Sequence, residues 1–282
     1  MTIHAFDGNK ERVKKSAMTG NNLPVARSGK SALDVAIQAA KGAGEILLFN
    51  FGSKGQVKYK SQGNLVTEAD LLSEKFIIEV LTGEYPDCSI LSEESNSSVP
   101  ITDCTWVVDP LDGTNSYVFG VPFFGVNVAL VKGEDILLGV TYDPLRGELF
   151  RAEKGQGAYL NDSPIQISKE SSFKAAMIGF DLGYSREQGS EMLDAADKLW
   201  WHIHCMRLMG SSALGTAYVA CGRLSLYYHR FLFPWDIASG LLLVREAGGK
   251  VTDWQGNSAS YHSREIVASN SKLHREFMAH LA

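Results

Sequence analysis

Val107-Val108-Asp109-Pro110-Leu111-Asp112-Gly113-Thr114 sets two carboxylates three residues apart, directly behind an apolar run. Trp106, Val107 and Val108 read as a buried strand. Pro110 lacks a backbone donor and is expected to stop sheet pairing, and Gly113 permits a turn closed to other residues. Asp109 and Asp112 can therefore face one pocket. Adjacent buried anions repel and are costly to desolvate, so they call for a cation or a proton. Hard carboxylate oxygens without a neighbouring His or Cys favour magnesium, manganese or calcium over zinc. Taken alone, the pair is equally well read as turn formers, because Asp closes turns through its own side chain.

Acids elsewhere in the chain shift that balance. The apolar run Cys88-Ser89-Ile90-Leu91 leads into Ser92-Glu93-Glu94-Ser95, again placing an acid at a strand end. Far downstream, Pro234-Trp235-Asp236-Ile237-Ala238-Ser239-Gly240 opens an apolar helical stretch at Leu241 to Val244, with Asp236 at a helix cap or first turn. Three separated segments each offer one or two acids at the end of an element.

These passages, with Leu65-Val66-Thr67-Glu68-Ala69-Asp70 before them and Glu246 to Asp253 after, resemble the inositol monophosphatase family of magnesium-dependent, lithium-sensitive phosphatases. They follow the family's order and approximate spacing, so the resemblance covers the chain from residue 31 onward. It implies a layered, alternating α-β-α-β-α sandwich, mixed α/β in class. It also implies a first metal site from Glu93, Asp109 and the Leu111 carbonyl, and a second from Asp109, Asp112 and Asp236. In the family, Thr114 and the first acid, here Glu93, orient the attacking water. Asp70 and Lys60 then lie in an outer shell near a weaker third metal position. Two magnesium ions, with a third at the weaker position and manganese as substitute, are the implied cofactors, and a homodimer is the implied assembly.

The chemistry calls for such an arrangement on its own terms. A phosphate monoester is close to a dianion at neutral pH and approaches four carboxylates only if cations reverse the local field. Phosphoryl transfer demands mainly positioning and charge stabilisation, so direct in-line attack by water suffices without a covalent intermediate. Backbone N–H groups of Gly113 and Thr114, if they open a helix or a nest, would hold phosphate oxygens.

Composition is compatible with this. A chain of 282 residues, 45% hydrophobic, can bury a large core. A net charge of −5 argues against a dedicated nucleic-acid binder. No apolar stretch is long enough to span a bilayer. Cys88, Cys104, Cys205 and Cys221 contain no CxxC pair, which points to reduced thiols and a cytoplasmic protein. Residues 1 to 30 are polar, with mixed charge in Lys10 to Lys15, and read as a solvated tail. The domain proper is expected over 31–282, in two packed lobes of about 31–163 and 164–282.

The patterns predict helices over 31–51, 68–81, 190–199 and 211–220. Strands are expected near 57–60, 89–91, 105–108, 125–132, 136–143, 175–180, 203–206, 224–228 and 266–268. Gly248-Gly249 reads as a helix C-cap and turn. Trp201-His202-Ile203-His204-Cys205 could present two imidazoles, but strand alternation alone gives that pattern and no third ligand is spaced to join them. Tyr227 and Tyr228 read as core packing.

For the substrate, Gly210, Ser211 and Ser212 match a family segment lining the pocket. Inositol-selective relatives carry an acid seven residues before the Pro-Trp-Asp aspartate, whereas His229 stands here, followed by Arg230. Two readings follow. His229 and Arg230 bind a second anionic group, as in fructose 1,6-bisphosphate or 3′-phosphoadenosine 5′-phosphate, or Arg230 faces solvent and His229 bonds a hydroxyl. A phosphomonoesterase acting on a small sugar or polyol phosphate is the leading expectation. A non-catalytic metabolite- or protein-binding member is the alternative of another class, against which all of Glu93, Asp109, Asp112, Thr114 and Asp236 are retained.

Overall fold

The computed structural model describes residues 23–53, 57–61 and 64–281. Of the tail expected over residues 1 to 30, the part up to residue 22 lies outside the described residues, as does the side chain of Lys60. Residues 23–30 do not behave as a solvated tail. Leu23 and Ala26 are buried against the first two helices, and Arg27 and Ser28 donate their N–H groups to the carbonyl and carboxylate of Glu84.

Helix α1 (Ala32–Asn50) starts where Ser31 Oγ accepts the Asp34 N–H, and its Val35, Ala36, Ala39, Ala40, Ala43 and Leu47 form one buried stripe. Strands β1 (Val57–Ser61) and β2 (Asn64–Thr67) pair antiparallel and lead into α2 (Glu68–Glu84). Thr67 and Asp70 form a reciprocal capping box there, each side chain bonding the other's backbone N–H. Then come β3 (Ser89–Ser92), β4 (Thr105–Asp112), the short α3 (Thr114–Val118), β5 (Gly125–Lys132), β6 (Asp135–Asp143), β7 (Glu148–Glu153), β8 (Ala158–Leu160) and β9 (Ser163–Pro164). These seven strands form one sheet in sequence order, β3 parallel to β4 and every later pair antiparallel.

Pro110 does not end its strand. Strand β4 runs on to Asp112, its pairing with β5 jumping from Asp109↔Asn127 to Asp112↔Gly125. The jump takes residues 110 and 111 out of the ladder, so the missing N–H of Pro110 costs no hydrogen bond, and the strand bends between the two aspartates.

The second half follows with β10 (Met177–Phe180), α4 (Arg186–Trp200), β11 (Cys205–Leu208), α5 (Ser212–Ala220), β12 (Leu226–Arg230), α6 (Pro234–Glu246), β13 (Lys250–Thr252), β14 (Glu265–Ser269) and α7 (Ser271–Leu281). Its five strands are ordered β11-β10-β12-β14-β13. Strand β10 starts later than its sequence suggests because Phe173–Ala175 make a 3-10 turn. Helix α4 starts earlier, at a Ser185/Gln188 capping box. The strand expected over 203–206 lies two residues downstream as β11, and α6 ends at the Gly248 turn as expected.

Helices α1 and α2 cover the outer face of the large sheet, α5 and α6 fill the space between the two sheets, and α4 with α7 cover the far face of the smaller one. This is the α-β-α-β-α sandwich expected from the sequence. Close packing in the middle layer depends on small residues. A Cβ on Gly139 of β6 would sit 2.8 Å from the Ser239 Cα of α6, and one on Gly240 would sit 2.1 Å from the Thr216 Oγ1 of α5.

The cysteine expectation is corrected for one pair. Cys88 and Cys104 form a disulfide, with Cα atoms 4.9 Å apart. They immediately precede β3 and β4, whose parallel register starts at Ser89↔Thr105, so strand pairing sets the two thiols side by side without any CxxC spacing. Cys205 and Cys221 are free. Among the described residues no helix is long and apolar enough to cross a membrane.

Candidate active site

A cleft of about 210 Å³ opens where β3, β4, the α5 N-terminus, the end of β10 and the start of α6 converge. Glu93, Asp109, Leu111, Asp112, Gly113, Thr114, Gly210, Ser211, Ser212, His229 and Asp236, all singled out by sequence, line it. Asp70 stands behind this lining, wholly buried. Arg230 does not line the cleft. Its Nε bonds Glu265 and its Nη1 bonds Glu191, each at 2.8 Å, so it is spent on the neighbouring strand and helix and supplies no cation to the cleft.

Each acid is held by the element that carries it. Asp109 Oδ1 accepts the Leu111 N–H at 3.0 Å across the bulge. Asp112 Oδ2 accepts both Ser211 Oγ, at 2.7 Å, and the Ala213 N–H, so the first turn of α5 binds this carboxylate with its unpaired N–H groups. Ser211 therefore holds a carboxylate from its place in the cleft lining. Asp236, at the third position of α6, accepts the Phe233 N–H at 2.7 Å. Glu93 donates its N–H to the Val108 carbonyl at 3.3 Å, tying its turn to β4. Gly113 has φ 94°, and a Cβ there would lie 2.9 Å from the Gly210 carbonyl, so no other residue fits between β4 and α3.

Burial and crowding set the electrostatics. The carboxyls of Asp109 and Asp236 are pushed well above the usual range, first by burial and then by the charges of Glu93 and Asp112; Arg264 offsets this a little at Asp236. Asp112 is raised to about 6, mainly by burial. Asp70 is raised to about 6 by burial, against hydrogen bonds from Thr67 and Thr114. Among the described residues no lysine or arginine lines the cleft, and the side chain of Lys60 lies outside them. Among the described residues no three His, Cys, Asp or Glu side chains are drawn together into a finished metal cage. What is present is a ring of hard oxygen donors whose charges oppose one another, a donor set that suits a divalent cation of the magnesium kind.

Several contributors went unmarked in the sequence. Glu74 of α2, nearly fully buried, accepts Ser92 Oγ and the N–H groups of Glu94 and Ser95 through one oxygen, pinning the turn that presents Glu93. Asn127 of β5 donates to the Trp235 carbonyl at 3.2 Å and accepts Thr141 Oγ1 at 2.6 Å, and Thr141 bonds Ser239 Oγ, so the large sheet is stitched to the start of α6 beside Asp236. Asp181, at the end of β10, lines the cleft and is raised to about 7 by burial. An apolar strand ending in an acid, Ile178-Gly179-Phe180-Asp181, is the signal that marked Asp109 and Glu93, and it could have marked Asp181.

Carboxylates from β3, β4 and α6 meeting helix N–H groups in one cleft, inside a five-layer sandwich, define a hydrolase of the phosphate-ester class. The family model described as the inositol monophosphatase family matches residues 30–282. Inositol monophosphatase 3 of Solanum lycopersicum is 38% identical over 255 residues, covering 87% of this chain and 94% of the relative. Nus factor SuhB of Xylella fastidiosa is 36% identical, covering 86% and 92%. The crystal structure of the extragenic suppressor protein suhB from Bartonella henselae superposes with a TM-score of 0.83 at 33% identity, covering 88% of this chain and 97% of that one. The chain belongs to the inositol monophosphatase family and is an enzyme of its phosphatase class.

Proposed function

We propose that this enzyme is a magnesium-dependent phosphomonoesterase that hydrolyses a small polyol or sugar phosphate of the inositol monophosphate kind by in-line attack of water. The observation that carries this reading is the convergence of Glu93, Asp109, Asp112 and Asp236 on the lining of one cleft. Glu93, Asp109 and the Leu111 carbonyl would hold one ion, and Asp109, Asp112 and Asp236 a second. By family resemblance Asp70 would lie in an outer shell near a third, weaker position. Magnesium bound there supplies positive charge that lowers the pKa of the attacking water, clamps phosphoryl oxygens and stabilises the departing alkoxide.

The chain's own residues do the positioning. Thr114 Oγ1 lies 3.0 Å from the Leu111 carbonyl and 3.2 Å from Asp70 Oδ1 and gives its single proton to one of these two acceptors. Its oxygen is left to accept a hydrogen bond from the attacking water and, with Glu93, to orient it. The N-terminal end of α3 and the Gly113 turn face the cleft and supply N–H groups for phosphoryl oxygens. Asp112, locked onto α5, keeps its second oxygen toward the cleft. Family resemblance further supports lithium sensitivity, manganese as substitute and a homodimer.

Release of phosphate from inositol 1-phosphate, measured with magnesium and with chelator, tests the reading. Turnover that needs magnesium and falls by orders of magnitude in Asp109→Asn is expected. A rate indifferent to magnesium, or an Asn variant equal to the parent, refutes it.

A further inference from the structure

We propose that Asn127 is a positioning residue for the reaction: with Thr141 and Ser239 it fixes the first turn of α6 on the large sheet, and so sets the separation of Asp109 and Asp236. This rests on the metal-site reading above and adds to it the device that keeps two ligands, carried by different elements, at one spacing.

Strand pairing puts Asp109, Asn127 and Thr141 in one row across β4, β5 and β6, because Asp109 lies opposite Asn127 and Asn127 lies opposite Thr141. Residues directly opposite one another share a face of the sheet. Here it is the face that carries α6, since Thr141 meets Ser239. The neighbouring row on that face, Val107, Ala129, Gly139 and Ala152, is apolar, and the bare Gly139 is what lets the Ser239 backbone approach. Asn127, Thr141 and Ser239 are themselves buried.

The hydroxyl protons give these bonds a direction. Asn127 Oδ1 can only accept, so the single hydroxyl proton of Thr141 goes to it, at 2.6 Å. Thr141 Oγ1 is then left to accept from Ser239 Oγ at 2.8 Å. Asn127 Nδ2 completes the sequence by donating to the Trp235 carbonyl at 3.2 Å. The chain runs from Ser239 through Thr141 and Asn127 to Trp235, so it begins and ends on α6, one turn apart, and Asp236 lies within that turn. Asn127 thus touches the residue before one metal-ligand candidate and stands across the strands from the other.

The charges explain why the contact is polar. Asp109 and Asp236 are buried and repel each other, which urges the helix away from the strand until a cation arrives. Apolar packing is non-directional and yields to a small slide. Hydrogen bonds weaken steeply as their alignment is lost, so this chain opposes the slide.

Titration calorimetry of magnesium into metal-free enzyme, without substrate, tests this in Thr141→Val and Thr141→Ser. Valine keeps the volume and breaks the chain at its middle, whereas serine gives up a methyl and keeps the hydroxyl. Both should lose stability in urea unfolding, the first through the stranded oxygen of Asn127 and the second through a small void. Only Thr141→Val is expected to bind magnesium more weakly, by about tenfold, the lower end of what removing a group that orients metal ligands costs. Thr141→Ser should bind it as the parent does. Asn127→Leu, which removes both bonds of the amide, should weaken binding at least as much as Thr141→Val; if it does not fold, the Thr141 pair carries the test alone. Unchanged affinity in Thr141→Val, or equal losses in Thr141→Val and Thr141→Ser, overturns the proposal and leaves the metal site standing. A parent enzyme that binds no magnesium overturns the metal-site reading and this proposal with it.

Discussion

Asp112→Asn removes one charge from the cleft while keeping the bonds that hold the side chain. Ser211 Oγ and the Ala213 N–H both donate to the same oxygen, Oδ2, so an amide oxygen can take its place and the new NH2 group faces the remaining carboxylates. Without metal, the Asp112 carboxyl is raised from 3.8 to about 6, chiefly by burial. A folded value above the unfolded one means a contribution that is intact below about pH 4, erodes as pH rises and is gone above about pH 6. The interval corresponds to about 3 kcal/mol. In chelator the variant is therefore expected to be more stable than the parent by up to about 3 kcal/mol at pH 8 and equal to it near pH 4, with the gap opening between. Urea unfolding followed by tryptophan fluorescence at a series of pH values reads this; comparing the two proteins cancels the titrating groups remote from the cleft, while relief of Asp109 and Asp236 from the Asp112 charge adds in the same direction. Magnesium should narrow the gap. The parent gains about 2.7 kcal/mol at a hundredfold excess over Kd, and the variant, short of a ligand, gains less. A variant no more stable than the parent at pH 8 in chelator, or a gap that stays constant from pH 4 to 8, would show that repulsion and burial at Asp112 are not what the folded protein bears.

Glu74→Ala leaves Ser92 Oγ and the Glu94 and Ser95 N–H groups without their acceptor. It should cost about 3 kcal/mol in urea unfolding and weaken magnesium binding in titration calorimetry, because the turn bearing Glu93 is released. Gly240→Ala drives a methyl into Thr216 at 2.1 Å and should cost about 1–3 kcal/mol. Adding Thr216→Ala should restore only part of this, since the Thr216 Cβ, 2.7 Å from the new methyl, remains; full restoration would refute the steric account. Reducing the Cys88–Cys104 bond, which closes a loop of 16 residues, should lower stability by about 3 kcal/mol in thermal melts, and Cys88→Ser should be insensitive to reductant.

Much of the framework was legible because its signals are local. The apolar spacing of α1 and α2 and the apolar runs at β4, β5 and β6 fixed those elements to within a residue or two at most ends. Strands β8, β9 and β13, of two or three residues, are too short to display an alternation and had no such signal. Helix α7 was overlooked although Leu273 and Phe277 are spaced one turn apart and both buried. The proline in β4 misled because its cost depends on the partner strand, and a bulge set by β5 removes that cost.

What the sequence determined by itself was the chemical inventory: acids at the ends of apolar runs, a glycine before Thr114, and a histidine seven residues before the Pro-Trp-Asp aspartate. Tertiary structure decided what those groups face. Ser211 meets Asp112 across 99 residues, Asn127 meets Trp235 across 108 and Tyr227 meets Asp181 across 46. Such meetings leave no periodicity in the chain, because they depend on how two sheets and the helices between them pack. The same packing turns Arg230 away from the cleft and leaves His229 Nε2 buried without a hydrogen-bond partner among the described residues. A residue's type fixes which bonds it can make, and only its neighbours in space decide which of them are already made.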